Sequence, residues 1–117
     1  MKILSVNELI QNLEIYVGKY VHVEGTLCYQ FECCCLYHRP KSEWDKHSDY
    51  NSSIWYGPAF NFSLEDHTLK KWSSKRVVMG GTIRGPSENL GGCGHMSMWP
   101  AEIEITQLHL HGRLGEA

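Results

Sequence analysis

Five cysteines and seven histidines in 117 residues are the side chains best equipped for chemistry. Three cysteines are consecutive, Cys33-Cys34-Cys35, and Cys93 stands two residues before His95 in a glycine-rich stretch. Residues two apart on a strand share a face, so Cys33 and Cys35 should point the same way. Zinc takes four soft or borderline ligands in a tetrahedron, and Cys33, Cys35, Cys93 and His95 make a Cys₃His set. The C-x-C plus C-x-H spacing departs from the cysteine pairs of zinc fingers and ribbons. His38, His109 and His111 are rival donors, although His109 and His111 read more simply as a solvated strand face. The competing reading is commoner: reduced thiols buried as small hydrophobes. An odd cysteine count leaves one thiol over in any disulfide framework, and adjacent cysteines bridge only with strain.

A nucleophilic pair from Cys93 or Cys35 with His95 or His38 would be a catalytic alternative. Nothing in the sequence orients the base, and no G-x-S-x-G, H-E-x-x-H or Gly-Lys-Ser/Thr phosphate loop occurs. No catalysis is expected. Apart from zinc at the Cys/His set, no cofactor is expected either.

Binding is the other chemistry open to the chain. Eleven Lys and Arg against thirteen Asp and Glu leave a formal charge of −2, unlike the basic excess of most nucleic-acid binders. The one cationic cluster, Lys70, Lys71, Lys75 and Arg76 around Trp72, reads as a phosphate contact or, more plainly, as a solvated turn. Glu43, Asp45 and Asp49 around Trp44 make an acidic lobe with an aromatic anchor. Trp44 and Trp99 fall in expected loops, which makes them candidates for exposed protein contacts. No apolar run approaches the roughly 18 residues of a membrane span, and no secretory segment follows Met1. A cytoplasmic location is therefore expected, with thiols reduced.

One domain of 1–117 must position these groups. Ser5 followed by Glu8 has the form of a capping box, and Val6, Leu9, Ile10 and Leu13 line one face of a helix over 5–15. Gly18 should stop it. From Tyr20 to Cys28 the period is two, with Gly25 marking a bend. Further strands are expected at 31–37, at 54–62 interrupted by Pro58, at 76–83 and from Ala101. Along 101–110 the alternation slips, which predicts a bulge near Thr106-Gln107. Long loops should cover 39–53 and 85–100, helical turns 63–74, and a polar tail 112–117.

The result is a mainly β chain: a small five-stranded barrel over about 17–111, an N-terminal helix, and a short helix between strands three and four. Residues 18–27, Gly-Lys-Tyr-Val-His-Val-Glu-Gly-Thr-Leu, resemble the first strand of OB-fold proteins, and 75–83 resemble their fourth. The resemblance covers about Val17 to Leu110. It implies a ligand face on strands two and three, gathering Tyr29, Phe31, Tyr37, Trp55, Tyr56, Phe60 and Phe62, with Cys93, His95 and Trp99 from the last loop. Alternation should turn half of these aromatics into the core instead.

The Gly94-His95-Met96 to Trp99-Pro100-Ala101 stretch, following an OB-like fourth strand, is similar to small bacterial single-domain proteins of the toxin-immunity type. That resemblance implies a non-catalytic module that neutralises a cognate protein partner, a toxin domain; the surface the residues themselves offer for it is Glu43, Trp44, Asp45, Asp49 and Trp99. The alternatives are single-strand nucleic-acid binding through Lys70, Lys71, Trp72, Lys75 and Arg76, which the charge disfavours, and a zinc-stabilised barrel.

Overall fold

The computed structural model describes residues 2–30, 33–60, 62–86, 93 and 99–111. The capping box forms as expected: Ser5 Oγ accepts from the Glu8 amide at 3.1 Å, and Glu8 Oε1 accepts from the Ser5 amide at 3.3 Å. It opens α1 (Val6–Gln11), which buries Val6 and Leu9. The expected single helix is two short ones, because Asn12 leaves helical geometry and its side-chain amide donates to the Glu8 carbonyl. After α2 (Leu13–Tyr16), Gly18 takes φ +84°, a left-handed stop that costs glycine little.

Ahead of the helices lies β1 (Ile3–Ser5), and after them β2 (Tyr20–Gln30), β3 (Cys33–Tyr37) and β4 (Ser53–Pro58). Helix α3 (Asp66–Trp72) separates these from β5 (Arg76–Arg84) and β6 (Glu102–Leu110). The sheet order is β1-β2-β3-β4-β6-β5, and a further β2–β5 pairing closes five strands into a ring. Strand β1 is appended in parallel beside β2, and β4–β6 is the other parallel pairing. The chain is thus mainly β, with a six-stranded sheet in which β2 serves both β5 and β3.

That double duty needs a bend. Residues 20–26 of β2 pair with β5 and residues 26–30 pair with β3, so the strand changes partner beside Gly25. A Cβ on Gly25 would collide with the Tyr37 carbonyl oxygen and come within 2.8 Å of Leu36 Cγ. The β5–β6 register skips between Gly80 and Gly81: their partners are Gln107 and Ile105, so Thr106 is the extra residue. The bulge explains the slip in alternation. Ile103 and Ile105 are fully buried before it, and Leu108 and Leu110 return to the core after it. Pro58 ends β4, cutting short the strand expected to reach residue 62.

Inside the ring, Val23, Leu27, Leu36, Ile54, Met79 and Ile103 meet in the main core, all at most 1% exposed. The loop from 38 to 52 carries two 3₁₀ turns, Lys41–Glu43 and Asp49–Ser52. It is tied to α1 by a buried histidine. The Asn7 amide donates to His38 Nδ1 at 3.1 Å, which leaves the ring proton on Nε2 to donate to Glu43 Oε1 at 2.7 Å. His38 thereby supplies a second cap to α1, beside the one from Ser5. His38→Ala should lower unfolding free energy by about 2 kcal/mol, because the Asn7 donor loses its acceptor. A urea midpoint equal to the parent protein's would refute that role.

Candidate metal centre

The alternation of β3 divides its side chains between two sites. Cys34 and Leu36 turn inward to the main core, while Cys33, Cys35 and Tyr37 face outward. Across the hairpin, Cys28 is the direct partner of Cys35, and Trp55 of β4 flanks Cys35 on the other side. One strand face therefore gathers three thiols. Cys28 Sγ lies 3.1 Å from Cys33 Sγ, and Cys33 Sγ lies 3.2 Å from Cys35 Sγ. All three sulfurs fall within 4.8 Å of one another, close enough to hold a metal ion.

A second apolar cluster, with Cys35, Cys93 and Trp99 as its buried members, packs against the partly exposed Cys28 and Cys33. The Trp99 ring lies 4.8 Å from Trp55 and 5.0 Å from Tyr50, and its Nε1 donates to Ser53 Oγ at 3.0 Å. Cys93 and Trp99 exchange both backbone hydrogen bonds, at 2.8 and 3.0 Å. This clasp fixes Trp99 against the outer face of β3 and β4. Tyr37 is capped in turn by Trp44, stacked at 4.7 Å and 18°, whose Nε1 donates to the His38 carbonyl.

The thiols are electrically unequal. The neighbouring Cys35 thiol, and after it Cys33, outweigh the partial burial of Cys28 and lower its pKa to about 6. Cys35 is pushed far up, first as donor to Cys28 and then by burial. Burial raises Cys33, and its donation to Cys28 adds to the effect. Of the three, Cys28 is held lowest and Cys35 highest. Because the folded pKa of Cys28 is depressed below its ordinary 9.0, the stability it contributes is complete above 9.0 and is lost as pH falls through about 6. Alkylation of the metal-free protein should accordingly show a rate inflection near pH 6 that Cys28→Ser removes. A profile that begins only in the ordinary thiol range would contradict this arrangement.

The set expected from sequence is therefore redrawn. Cys33 and Cys35 lie together, but Cys93 is not in the group: its Sγ sits 4.0 Å from the Arg84 carbonyl, on the Trp99 side of the cluster. Cys28 takes that place. His95 lies outside the described residues. Cys28 went unnoticed because the signal is the hairpin register, and the connecting residues Phe31-Glu32 have no Asn-Gly or similar turn signature.

Among the expected protein contacts, the exposure expected of Trp99 is corrected: it is 3% exposed and belongs to the second core. Trp44 is half-buried, with Lys41 Nζ 5.3 Å from its ring, while Glu43 and Asp45 are exposed. Asp45 already accepts from the His47 and Ser48 amides, which hold its carboxyl below the usual range. Asp49 begins the second 3₁₀ turn, and its side chain lies outside the described residues. In the cationic cluster, Lys70 pairs with Asp66 at 3.0 Å and Arg76 with Glu24 at 2.6 Å, while Lys71 and Lys75 are exposed and Trp72 packs on the main core. Of the expected ligand-face aromatics, Tyr37 and Trp55 face the thiols, whereas Tyr56, Tyr29 and Phe62 pack on the main core. Phe60 is fully exposed, and Phe31 lies outside the described residues.

No helix among the described residues is long and apolar enough to cross a membrane. No known family and no curated protein matches the chain.

Proposed function

We propose that the chain is a non-catalytic binding module on a small OB-like barrel, whose outer β3 face holds a thiophilic metal ion, zinc in the reading taken from the sequence. Support for the barrel comes from the ring closed by β2 and β5, the bulge at Thr106, the bend at Gly25, and α3 between the third and fourth ring strands. In OB folds the second and third strands carry the ligand face, and those are β3 and β4 here. The observation that carries the metal is the convergence of the Cys28, Cys33 and Cys35 sulfurs. Soft thiolates select zinc, copper(I) and related ions over hard oxygen-seeking ones. The group contains no histidine or carboxylate among the described residues to act as a base, which favours a structural ion over a catalytic one.

Cobalt(II), as a spectroscopic stand-in for zinc, tests this directly. Intense sulfur-to-metal charge-transfer absorption should develop with the wild-type protein and fail with Cys33→Ser. Absence of such absorption from the reduced wild type would count against a metal centre of this kind.

The partner we propose for the module is a protein, of the toxin class if the immunity-type resemblance holds. The exposure of Glu43 and Asp45 and the formal charge of −2 favour it over a phosphate backbone. Partner binding that is unaffected by Asp45→Lys would remove the acidic lobe from the interface.

A further inference from the structure

We propose that the Cys28–Cys33–Cys35 face is a pyramidal trithiolate site that prefers a trivalent ion of the arsenite class to four-coordinate zinc. The proposal rests on the metal-binding reading above and narrows its ligand.

Geometry supplies the first argument. The two short sulfur–sulfur edges are 3.1 and 3.2 Å. A zinc tetrahedron with Zn–S bonds of about 2.3 Å has edges of about 3.8 Å. An ion with a stereochemically active lone pair holds three sulfurs at angles near a right angle. Bonds of that same length then give edges of about 3.3 Å. Those two edges match the pyramidal spacing and zinc would have to spread them, while the Cys28–Cys35 edge lies within 4.8 Å. Spreading is resisted from several sides. Cys35 is wholly buried in the ladder between Cys28 and Trp55, and the Tyr56 hydroxyl donates to the Cys28 carbonyl at 3.1 Å.

Donor count gives the second argument. Among the described His, Cys, Asp and Glu side chains, three sulfurs converge without a fourth ligand atom; the Tyr37 hydroxyl oxygen stands 4.0 Å from Cys33 Sγ. A pyramidal ion needs only three, because its lone pair occupies the remaining direction.

Charge gives the third. Three thiolates around a divalent ion keep one net negative charge, whereas around a trivalent ion they leave none. The apolar side chains packed on this face are Tyr37, Tyr50, Trp55, Trp99 and Cys93, and none of these carries a positive charge to offset it. A neutral complex therefore suits this face better than an anionic one.

The binding step balances without a redox change. Arsenous acid exchanges its three hydroxyls for the three sulfurs: three As–O bonds break and three As–S bonds form. Each hydroxyl leaves as water, two with the thiol protons of Cys33 and Cys35 and the third with a proton from solvent.

The test uses the full-length reduced protein with sodium arsenite and, separately, zinc chloride. Arsenite should bind one to one and protect Cys28, Cys33 and Cys35 from alkylation, mapped by peptide mass spectrometry, with Cys34 and Cys93 still reactive after unfolding. Zinc at equal concentration should fail to displace it. Cys33→Ser should weaken arsenite binding by at least about tenfold, and Cys93→Ser should leave it unchanged. Protection mapping on the wild type keeps the test decisive should a variant fold poorly. Protection of two cysteines only, of a set that includes Cys93, or displacement of arsenite by zinc would overturn the trivalent assignment while leaving the metal reading intact. Binding of neither ion would end both.

Discussion

Gly25→Ala is expected to destabilise the fold by roughly 3 kcal/mol, the upper end of what an added methyl does to a packed site. The added Cβ would meet the Tyr37 carbonyl oxygen, which is backbone in a paired strand and cannot swing aside. Leu36 Cγ, 2.8 Å away, is fixed in the main core with no exposure. Relief would require β3 to move off β2 at the point where β2 changes partner. Because Tyr37 and Leu36 continue into Cys35, the same displacement would pull Cys35 from opposite Cys28, so stability and metal affinity should fall together. Urea denaturation is the check: the midpoint should drop with little change in slope. A midpoint within error of wild type would mean that the corner is slack, and that the bend does not constrain the thiol face.

How much of this was legible in the sequence follows from which signals are local. Ser5 and Glu8 announced the cap because both partners of a capping box lie within one turn. The slip in alternation along β6 located the Thr106 bulge because the pattern itself records the extra residue. Gly25 marked the bend because only a missing side chain permits the approach to Tyr37. Long-range features were hidden. Strand β1 has three residues, too few to carry a period, and its existence depends on β2 lying alongside. Cys28 belongs to the thiol group through cross-strand register, and Cys93 leaves it because its strand bridge faces Trp99. Trp99 reads as a loop tip, since nothing local reveals that its ring packs beside Cys35 and Trp55. His38 showed only as one of several rival donors; its work, capping α1 from thirty-one residues away, is tertiary.

The second large expected effect is stabilisation by metal. An ion that binds the folded thiol face but not the unfolded chain adds RT ln(1 + [L]/Kd), about 4 kcal/mol at a thousandfold excess over Kd. In a chain of this size that is a large part of the whole stability, commonly about 5–15 kcal/mol. The gain should depend on Cys28, Cys33 and Cys35 and be indifferent to Cys34, which turns into the main core, and to Cys93, which lies outside the group. For a divalent ion such as zinc it should also weaken at low pH, because that binding must displace thiol protons. Five free thiols make reduction of the sample essential beforehand.

The most direct measurement is the thermal unfolding midpoint of the reduced, metal-stripped protein, titrated separately with zinc, cadmium and arsenite. The thiol-face account predicts a concentration-dependent rise in the wild type and in Cys93→Ser, and none in Cys33→Ser. Indifference of the wild type to every one of these ions, or a Cys33→Ser protein that responds as the wild type does, would contradict it.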